Sequence, residues 1–334
     1  MTALLVLIGL ALAFDVTNGF HDAANAVAAP VATRAASPAL AVTVASAGHI
    51  AGPLLAGSAV ADTVGGVVRL TPTNIFAAIG AALTAAVAWN LLTWWRGLPS
   101  SSSHALVGGL VGGCVALGGI HGVRWGAIHG VHVAGVLGVL AGLAVSPIVG
   151  FVLAWLLSRV VIRGLRRARR GMNTVVRRSE LVTSFALAYS HGANDAQKTM
   201  GIITLLLVAN GNLTTFQVPM WVKLAAAGAL VVGTSMGGWR IVKTLGRGIY
   251  RLQPVDGLVS QASSAAVIFA AALAGAPVST THVVASSVVG VGASRRRHHV
   301  HWPVVTEMAF AWIVTLPIAA LFGALGAPIW KIFV

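Results

Sequence analysis

Two short polar peptides each occur twice in this chain, and all four copies interrupt long apolar runs. Gly-Phe-His-Asp-Ala-Ala-Asn at 19–25 returns as Gly-Ala-Asn-Asp-Ala-Gln-Lys at 192–198. Pro-Ser-Ser-Ser-Ser-His at 99–104 returns as Pro-Val-Ser-Thr-Thr-His at 277–282. Charged and hydroxyl-bearing residues are costly inside membrane-length apolar runs, so they mark a functional site. Their repetition in pairs predicts a duplicated membrane protein with one site where the halves meet.

The hydroxyl-rich pair has the chemistry of an anion site. Proline suits the first turn of a helix, and Ser or Thr there can cap the free backbone N–H groups. A helix N-terminus carries partial positive charge and binds anions. Two converging helix starts with added hydroxyls would suit a tetrahedral oxyanion. The alternative is that the hydroxyls only cap broken helices or bond to a backbone carbonyl. The candidate anion-binding residues are Ser101, Ser102, Ser103, Ser279, Thr280 and Thr281.

The acidic pair places a carboxylate at the same repeat position in each half. Asp22 and Asp195 are two of only seven Asp and Glu residues. Hard cations take oxygen ligands, and a buried carboxylate without a cation takes up a proton instead. Either property allows coupling to a cation or a proton; the alternative is a structural ion pair or a hydrogen-bonded kink. If a cation is bound, these two carboxylates are its expected ligands. The candidate coupling residues are His21, Asp22, Asn25, Asn194, Asp195 and Lys198.

The two acidic peptides differ at two positions. Lys198 stands where Asn25 stands in the other copy, and its ammonium can replace a bound cation or face the anion. His21 stands where Asn194 stands and can titrate near neutrality, although a histidine beside a helix kink is often only a packed core residue.

The composition indicates a membrane protein. The chain is 57% hydrophobic and 9% charged, with a mean hydropathy of +0.87, whereas soluble domains contain about 25% charged residues. The net charge of +15 does not indicate nucleic-acid binding, because the basic residues lie in loops between apolar segments. The partner is therefore the lipid bilayer, and no nucleic acid is expected.

We predict an all-α polytopic fold of about 10–12 transmembrane helices, some of them broken or re-entrant at the midplane. One set of alternating loops carries seventeen Lys and Arg residues, near 34, 96, 159–178, 240–251 and 295–297; the other set carries three. The first set is therefore expected on the cytoplasmic side of the bacterial inner (plasma) membrane, with both termini on the outer side. Ten crossings are read at about 3–29, 38–60, 74–95, 99–119, 132–158, 180–207, 218–238, 257–275, 277–293 and 303–327.

Ten crossings divide into five and five around a basic linker. Residues 1–158 form the first membrane repeat, 159–179 the cytoplasmic linker and 180–334 the second repeat. Because five is odd, the second repeat enters the membrane from the opposite side. The expected architecture is a pair of inverted-topology repeats with the site near the midplane.

The four peptides resemble the signatures of the inorganic phosphate transporter (PiT) family in its bacterial, low-affinity permease form. The segments 15–26 and 190–201 look like the first and second family signatures, and the Pro-x-Ser-Ser/Thr-Ser/Thr-His peptides fit the family's half-helices. The likeness runs over nearly the whole chain. Single copies would be weak evidence, but four copies in the expected order are a specific match.

The resemblance implies a carrier that imports phosphate with a cation. Phosphate would lie between the helix starts at 101–103 and 279–281, and Asp22, Asn25, Asn194 and Asp195 would hold the coupling cation. Sodium-coupled relatives repeat Gly-x-Asn-Asp-x-x-Asn in both halves. His21 and Lys198 break that pattern here, which favours H⁺ over Na⁺, with phosphate carried free or as a neutral complex with a divalent metal. The family suggests a homodimer and no bound cofactor, and it includes sulfate carriers.

Two other classes of function are weaker. An anion channel would explain the spans but not the paired acidic and hydroxyl motifs. An intramembrane hydrolase is not indicated, because Ser103 and His104 are sequence neighbours on a helix and point about 100° apart. The chain also lacks a Gly-x-Ser-x-Gly or His-Glu-x-x-His motif. We therefore expect a transporter and not an enzyme.

Overall fold

The computed structural model describes residues 2–126, 128–129, 132–133, 135–168, 171–295 and 297–334, and almost all of them are helical. A two-residue antiparallel pair, Ile128–His129 (β1) and His132–Val133 (β2), lies between the fifth and sixth helices. Three loop arginines used to predict the orientation, Arg169, Arg170 and Arg296, lie outside the described residues. The α-helices are α1 (Thr2–Ala32), α2 (Pro38–Leu55), α3 (Ala59–Gly65), α4 (Pro72–Arg96), α5 (Ser102–Gly118), α6 (Gly135–Gly164), α7 (Met172–Ala209), α8 (Met220–Met236), α9 (Trp239–Lys243), α10 (Pro254–Leu273), α11 (Thr280–Arg295) and α12 (Trp302–Phe333).

Each of the ten predicted crossings coincides with a helix, so the helical membrane class is confirmed. In the part of the chain that the structure describes, seven helices are long and apolar enough to span a bilayer. The number is eight if α8 and the segment Trp239–Gly248, which are bent by 63° at the break between them, count as one span. Helix α7 is long but polar at its centre, and α11 has only 16 residues. The predicted end of the second crossing at 60 is wrong, because α2 stops at Leu55 and Gly57 turns the chain at φ 82° before α3.

Two helical hairpins are broken at glycines. Helix α4 ends at Gly97 with φ 69°, and the chain stays extended until α5 begins at Ser102. Helix α10 is followed by Gly275 with φ 67°, and α11 begins at Thr280. Positive φ favours glycine, so these residues fix the points at which each helix stops. Both hairpins therefore expose a helix start inside the protein, as the hydroxyl-rich peptides predict.

The two halves have matching helices: α1 to α6 in the first half correspond in order to α7 to α12 in the second. The pattern of helix packing stays the same when each helix is exchanged for its counterpart. Helix α1 packs on α8 as α7 packs on α2. Helices α4 and α5 pack on α12, as α10 and α11 pack on α6. The two halves therefore interlock, each covering the other's hairpin. Inverted topology of the repeats, which this pairing accords with, stays a prediction.

Glycines allow the crossing helices to approach closely. A Cβ at Gly19 on α1 would lie 2.3 Å from Leu230 O, and one at Gly233 on α8 would lie 2.1 Å from Val16 O. At the related crossing, a Cβ at Gly52 on α2 would lie 2.2 Å from Tyr189 O on α7. Small residues at helix crossings are typical of membrane proteins, where association depends on close packing.

Apolar clusters lie on both sides of the polar motifs along α1. Leu4, Leu7 and Phe14 belong to one buried cluster, whereas Val27 and Ala28 belong to another that includes Ile241 of α9. The polar peptide between them is buried as well. The fold thus places the polar residues in the interior, where each needs a polar partner.

The α5–α12 contact gives a test of this packing. A Cβ at Gly112 on α5 would lie 1.8 Å from Ala320 O, a backbone atom that cannot move aside. We expect Gly112→Val to lower the free energy of unfolding by about 3 kcal/mol or more, seen as a lower melting temperature of the purified protein in detergent. Gly228→Val is the matched control, since a Cβ there meets nothing within 4 Å. Equal melting temperatures for the two variants would contradict the close α5–α12 contact.

Candidate functional site

The four predicted peptides come together in the interior. Thr280 Oγ1, at the start of α11, lies 3.0 Å from Asp195 Oδ2 and 3.3 Å from Asp22 Oδ2. Thr281 Oγ1 donates to Asp22 Oδ1 at 2.7 Å. From the start of α5, Ser102 donates to Asn18 Oδ1 on α1 at 2.7 Å. Two positions more than 250 residues apart, 22 and 281, thus meet at hydrogen-bond distance, and all the predicted site residues are buried.

Lys198 joins the second acidic peptide to both helical hairpins. Its ammonium donates to Asp195 Oδ1, to Ser103 Oγ at 2.5 Å and to Val278 O at 3.0 Å. An ammonium has three N–H donors, so all of them are used. Val278 O is a carbonyl of the extended chain before α11, the kind of group that coordinates cations in broken-helix carriers. Lys198 therefore places a fixed positive charge among three oxygen ligands.

The six predicted hydroxyls divide into two groups. Ser101 and Ser279 accept from the backbone N–H groups of His104 and His282, at 3.1 and 3.3 Å, so they cap α5 and α11. The other four, Ser102, Ser103, Thr280 and Thr281, donate to the acidic motifs of α1 and α7 or to Val278 O. The first two therefore do cap their helices, as the alternative has it. Phosphate binding by the six stays a prediction.

The asparagines and His21 hold the site to its surroundings. Asn194 Nδ2 donates to Ala276 O at 3.1 Å, and Asn194 Oδ1 accepts from Val278 N at 3.3 Å, so both ends of this amide fasten the α10–α11 turn. Asn25 Nδ2 donates to Thr281 Oγ1 at 3.3 Å, and the structure gives Asn25 Oδ1 no partner among the residues it describes. His21 Nδ1 lies 2.8 Å from Asp22 Oδ1, and its Nε2 lies 3.2 Å from Thr93 Oγ1.

Two histidines that the sequence analysis did not assign complete the site. His191 Nε2 lies 2.9 Å from Asp195 Oδ2 and 3.6 Å from Asp22 Oδ2. His191 Nδ1 lies 2.8 Å from His49 Nε2, and His49 Nδ1 lies 2.8 Å from Thr234 Oγ1. One ligand atom each from Asp22, His191 and Asp195 lie within 4.8 Å of one another, close enough to hold a metal ion. His191 immediately precedes the repeated glycine of its peptide, and Gly48 and Gly52 place His49 on a close-packed face of α2.

A cavity of about 390 Å³ opens on one face of the molecule beside the α10–α11 turn. Asp62 and Thr63 of α3, Arg124 and the α10–α11 turn at 274–277 line it. Thr63 Oγ1 donates to Gly275 O at 2.7 Å, so the turn that forms its floor is attached to α3. The next residues of the same turn contact Lys198 and Asn194. The turn therefore separates this cavity from the buried polar groups.

Comparisons with known proteins place the whole chain beside a described family. The family model described as "Phosphate transporter family" matches residues 18–323. The "Probable low-affinity inorganic phosphate transporter" of Bacillus subtilis is 42% identical over 97% of this chain and 96% of its own length. A protein of the same description from Rhizobium meliloti is 42% identical over 96% of this chain and 94% of its own length.

The fold has a solved counterpart. A structure titled "The sodium-dependent phosphate transporter" superposes with a TM-score of 0.87, covers 100% of both chains and is 23% identical to this chain. At that identity the likeness shows the fold alone. The family match spans all four repeated peptides, and with the two bacterial relatives it shows that this multi-pass membrane chain belongs to the phosphate transporter family.

Proposed function

We propose that this protein is a secondary active transporter that imports inorganic phosphate by symport with a cation, and that the driving gradient is H⁺ and not Na⁺. The observation that carries the proposal is the ammonium of Lys198, which is held by Asp195, Ser103 and Val278 O. A permanent positive charge among those oxygens disfavours a second cation there. The structural neighbour's title calls it sodium-dependent; Lys198 is our reason for proposing a different ion here.

The site chemistry suits a carrier for phosphate. The hydroxyls of Ser102, Thr280 and Thr281 donate to Asn18, Asp195 and Asp22 in this structure, and a hydroxyl hydrogen can rotate to another acceptor such as an anion. A protonated phosphate oxygen can also donate to Asp22 or Asp195, whereas sulfate at neutral pH can only accept. The carboxylates therefore favour phosphate over the sulfate alternative. An anion channel would need no such carboxylates beside its anion site.

An enzyme is not proposed. The relatives are described as transporters. His104 Nδ1 does lie 2.8 Å from Ser101 Oγ, but the same oxygen accepts from the backbone N–H of His104 as a helix cap. Ser103 Oγ, the hydroxyl next to His104 in sequence, donates to Val278 O. Ser101 Oγ is thus explained as the cap of α5, and Ser103 Oγ by its bond to the chain before α11.

We further propose the membrane arrangement of this carrier. Residues 1–158 and 180–334 form repeats of inverted topology, joined by the basic segment 159–179 on the cytoplasmic side. Both termini then lie outside the bacterial inner membrane. The exchange symmetry of the helix packing supports two repeats, and the excess of Lys and Arg supports the orientation. A homodimer is the assembly we propose from the family resemblance.

Uptake of radiolabelled phosphate into proteoliposomes tests the coupling. A proton gradient and a sodium gradient are imposed in separate experiments, with excess sulfate added as competitor in a third. We expect uptake driven by the proton gradient, no stimulation by Na⁺ and no loss to sulfate. Uptake driven only by Na⁺ would support phosphate transport but would refute H⁺ as the coupling ion. Loss of signal to sulfate would make the protein a sulfate carrier, and gradient-independent flux would favour a channel.

A further inference from the structure

Two threonines, one in each half of the chain, hold the turns that precede the hydroxyl-rich helix starts. Thr63 on α3 donates through Oγ1 to Gly275 O at 2.7 Å, in the turn before α11. Thr244, the first residue after α9, donates through Oγ1 to Gly97 O at 3.0 Å, in the turn before α5. The two glycines share nearly the same backbone angle, with φ 67° and 69°. The same hydrogen bond thus occurs twice, and we call the two bonds the Thr63 latch and the Thr244 latch.

The sequence repeats the two latches as well. Asp-Thr-Val-Gly at 62–65 returns as Lys-Thr-Leu-Gly at 243–246, and each acceptor glycine stands two residues before the proline of a hydroxyl-rich peptide. The bonded residues are 212 and 147 positions apart, so local chain geometry does not produce these contacts. Each latch joins a short helical segment of one half to the helical hairpin of the other half. The latches therefore lie where a movement of one repeat against the other would be felt.

Each threonine has a second acceptor available if its latch opens. Thr63 Oγ1 lies 3.2 Å from Ala59 O, and Thr244 Oγ1 lies 3.3 Å from Arg240 O, in each case the carbonyl four residues earlier. A hydroxyl has one proton to donate, and in both cases the bond to the glycine is the shorter one. When a latch opens, the hydroxyl can turn to the carbonyl of its own segment. The open state then leaves no donor without an acceptor, which keeps the free-energy cost of opening low.

The latched turns lie between the coupling residues and two cavities. The cavity of about 390 Å³ lies against the turn at 274–277, and a second cavity of about 260 Å³ is lined in part by Leu98 of the other turn. On the opposite side of each turn, Asn194 donates to the first turn, and Ser100 Oγ of the second turn lies 3.4 Å from His21 Nε2. His21 and Asn194 occupy equivalent positions in the two acidic peptides. Each turn thus contacts a coupling residue on one side and a cavity on the other.

From these contacts we propose that the two latches are the gates of the transporter and that they open one at a time. Opening the Thr63 latch lets the α10–α11 turn move and admits phosphate from the face that our proposed orientation places outside. Opening the Thr244 latch frees the α4–α5 turn and releases phosphate to the cytoplasm. Movement of one repeat against the other can break one bond and keep its counterpart. The inference rests on the proposed phosphate transport and identifies the residues that control access to its site.

Thiol labelling of buried reporter cysteines tests the gates without relying on transport. Cys114→Ala removes the native thiol, and one cysteine is then placed at Val278 or at its repeat equivalent Ser100, both of which are buried behind the latched turns. The full chain is reconstituted in lipid nanodiscs, and its rate of reaction with a maleimide is measured. We expect Thr63→Val to raise the labelling rate of Val278→Cys about 2- to 10-fold, the effect of losing one hydrogen bond, and not to raise that of Ser100→Cys. Thr244→Val should have the reverse pattern.

Three comparisons make the labelling result decisive. Thr43→Val is the matched control, since Thr43 is exposed on α2 and its hydroxyl donates to Ala39 O of the same helix; both labelling rates should stay unchanged. Thr63→Ser keeps the hydroxyl and should restore the rates of the background protein. A latch variant that raises both rates together has only loosened the fold, and one that raises neither has opened no gate, so either result would refute the proposal. Absence of phosphate uptake by the unaltered protein would instead refute the proposed function, because selective labelling does not depend on uptake.

Discussion

Asp22→Asn is expected to abolish coupled phosphate uptake while the protein stays folded in the membrane. The new amide oxygen can still accept from Thr281, which donates to Asp22 Oδ1 at 2.7 Å. The new NH₂ group can donate to His191 Nε2, now 3.6 Å from Asp22 Oδ2. The replacement therefore satisfies its neighbours but removes one of the two negative charges that face a cation. Coupling between two sites is typically worth about 5- to 150-fold, so loss of this charge should lower the initial rate of coupled uptake by about 100-fold.

The measurement is the initial rate of phosphate uptake into proteoliposomes, normalised to the amount of reconstituted protein. Its matched control is Asp62→Asn. This change removes an exposed carboxylate of α3 that lines the cavity, and it should leave most of the uptake. Melting temperatures of the purified proteins establish that each is folded. Uptake by Asp22→Asn at the rate of the Asp62→Asn control would exclude Asp22 from the coupling site.

Much of the fold could be predicted from local sequence patterns. Apolar runs of membrane length mark most of the ten predicted crossings, because a bilayer requires about 20 apolar residues for a spanning helix. Repeated Pro-Ser and Pro-Val-Ser-Thr peptides also mark the helix starts at Ser102 and Thr280. The sequence analysis missed the break between α2 and α3, since Gly57 lies within a mostly apolar run. Hydropathy reports that a segment is buried in lipid but not where its backbone turns.

The partners within the site could not be predicted from the same patterns. Repetition identified Asp22, Asp195 and Lys198, but the contact of Lys198 with Ser103 joins α7 to α5 across 95 residues. Such contacts depend on how four helices cross, which a local pattern does not encode. His49 was missed for another reason: it stands alone in an apolar run, and its use depends on His191, a residue of another helix. A histidine flanked by interfacial glycines is the signal that was present in the sequence.

The largest change of specificity is expected from Lys198→Asn. This replacement makes the second peptide match the first, which has Asn25 at the corresponding position. Loss of the ammonium leaves Asp195 Oδ1, Ser103 Oγ and Val278 O facing one space, and the new amide adds a fourth oxygen. Carboxylate, hydroxyl, carbonyl and amide oxygens are the ligands that hard cations prefer. We therefore expect Lys198→Asn to show phosphate uptake that a sodium gradient stimulates at least about tenfold, a change of about 1.4 kcal/mol in coupling.

Lys223→Asn provides the matched control, because Lys223 is the other lysine within a predicted crossing and lies half-buried on α8. Among the described residues it forms no ion pair with the acidic peptides. Its uptake should remain independent of Na⁺. Two outcomes would count against the role given to Lys198, and they differ in meaning. Phosphate uptake by Lys198→Asn that still ignores Na⁺ would mean that the ammonium does not occupy a cation position. A folded but inactive Lys198→Asn protein would mean that the ammonium attracts phosphate itself. The neutral variant would then fail to bind phosphate, and its choice of coupling cation would not be the property that changed.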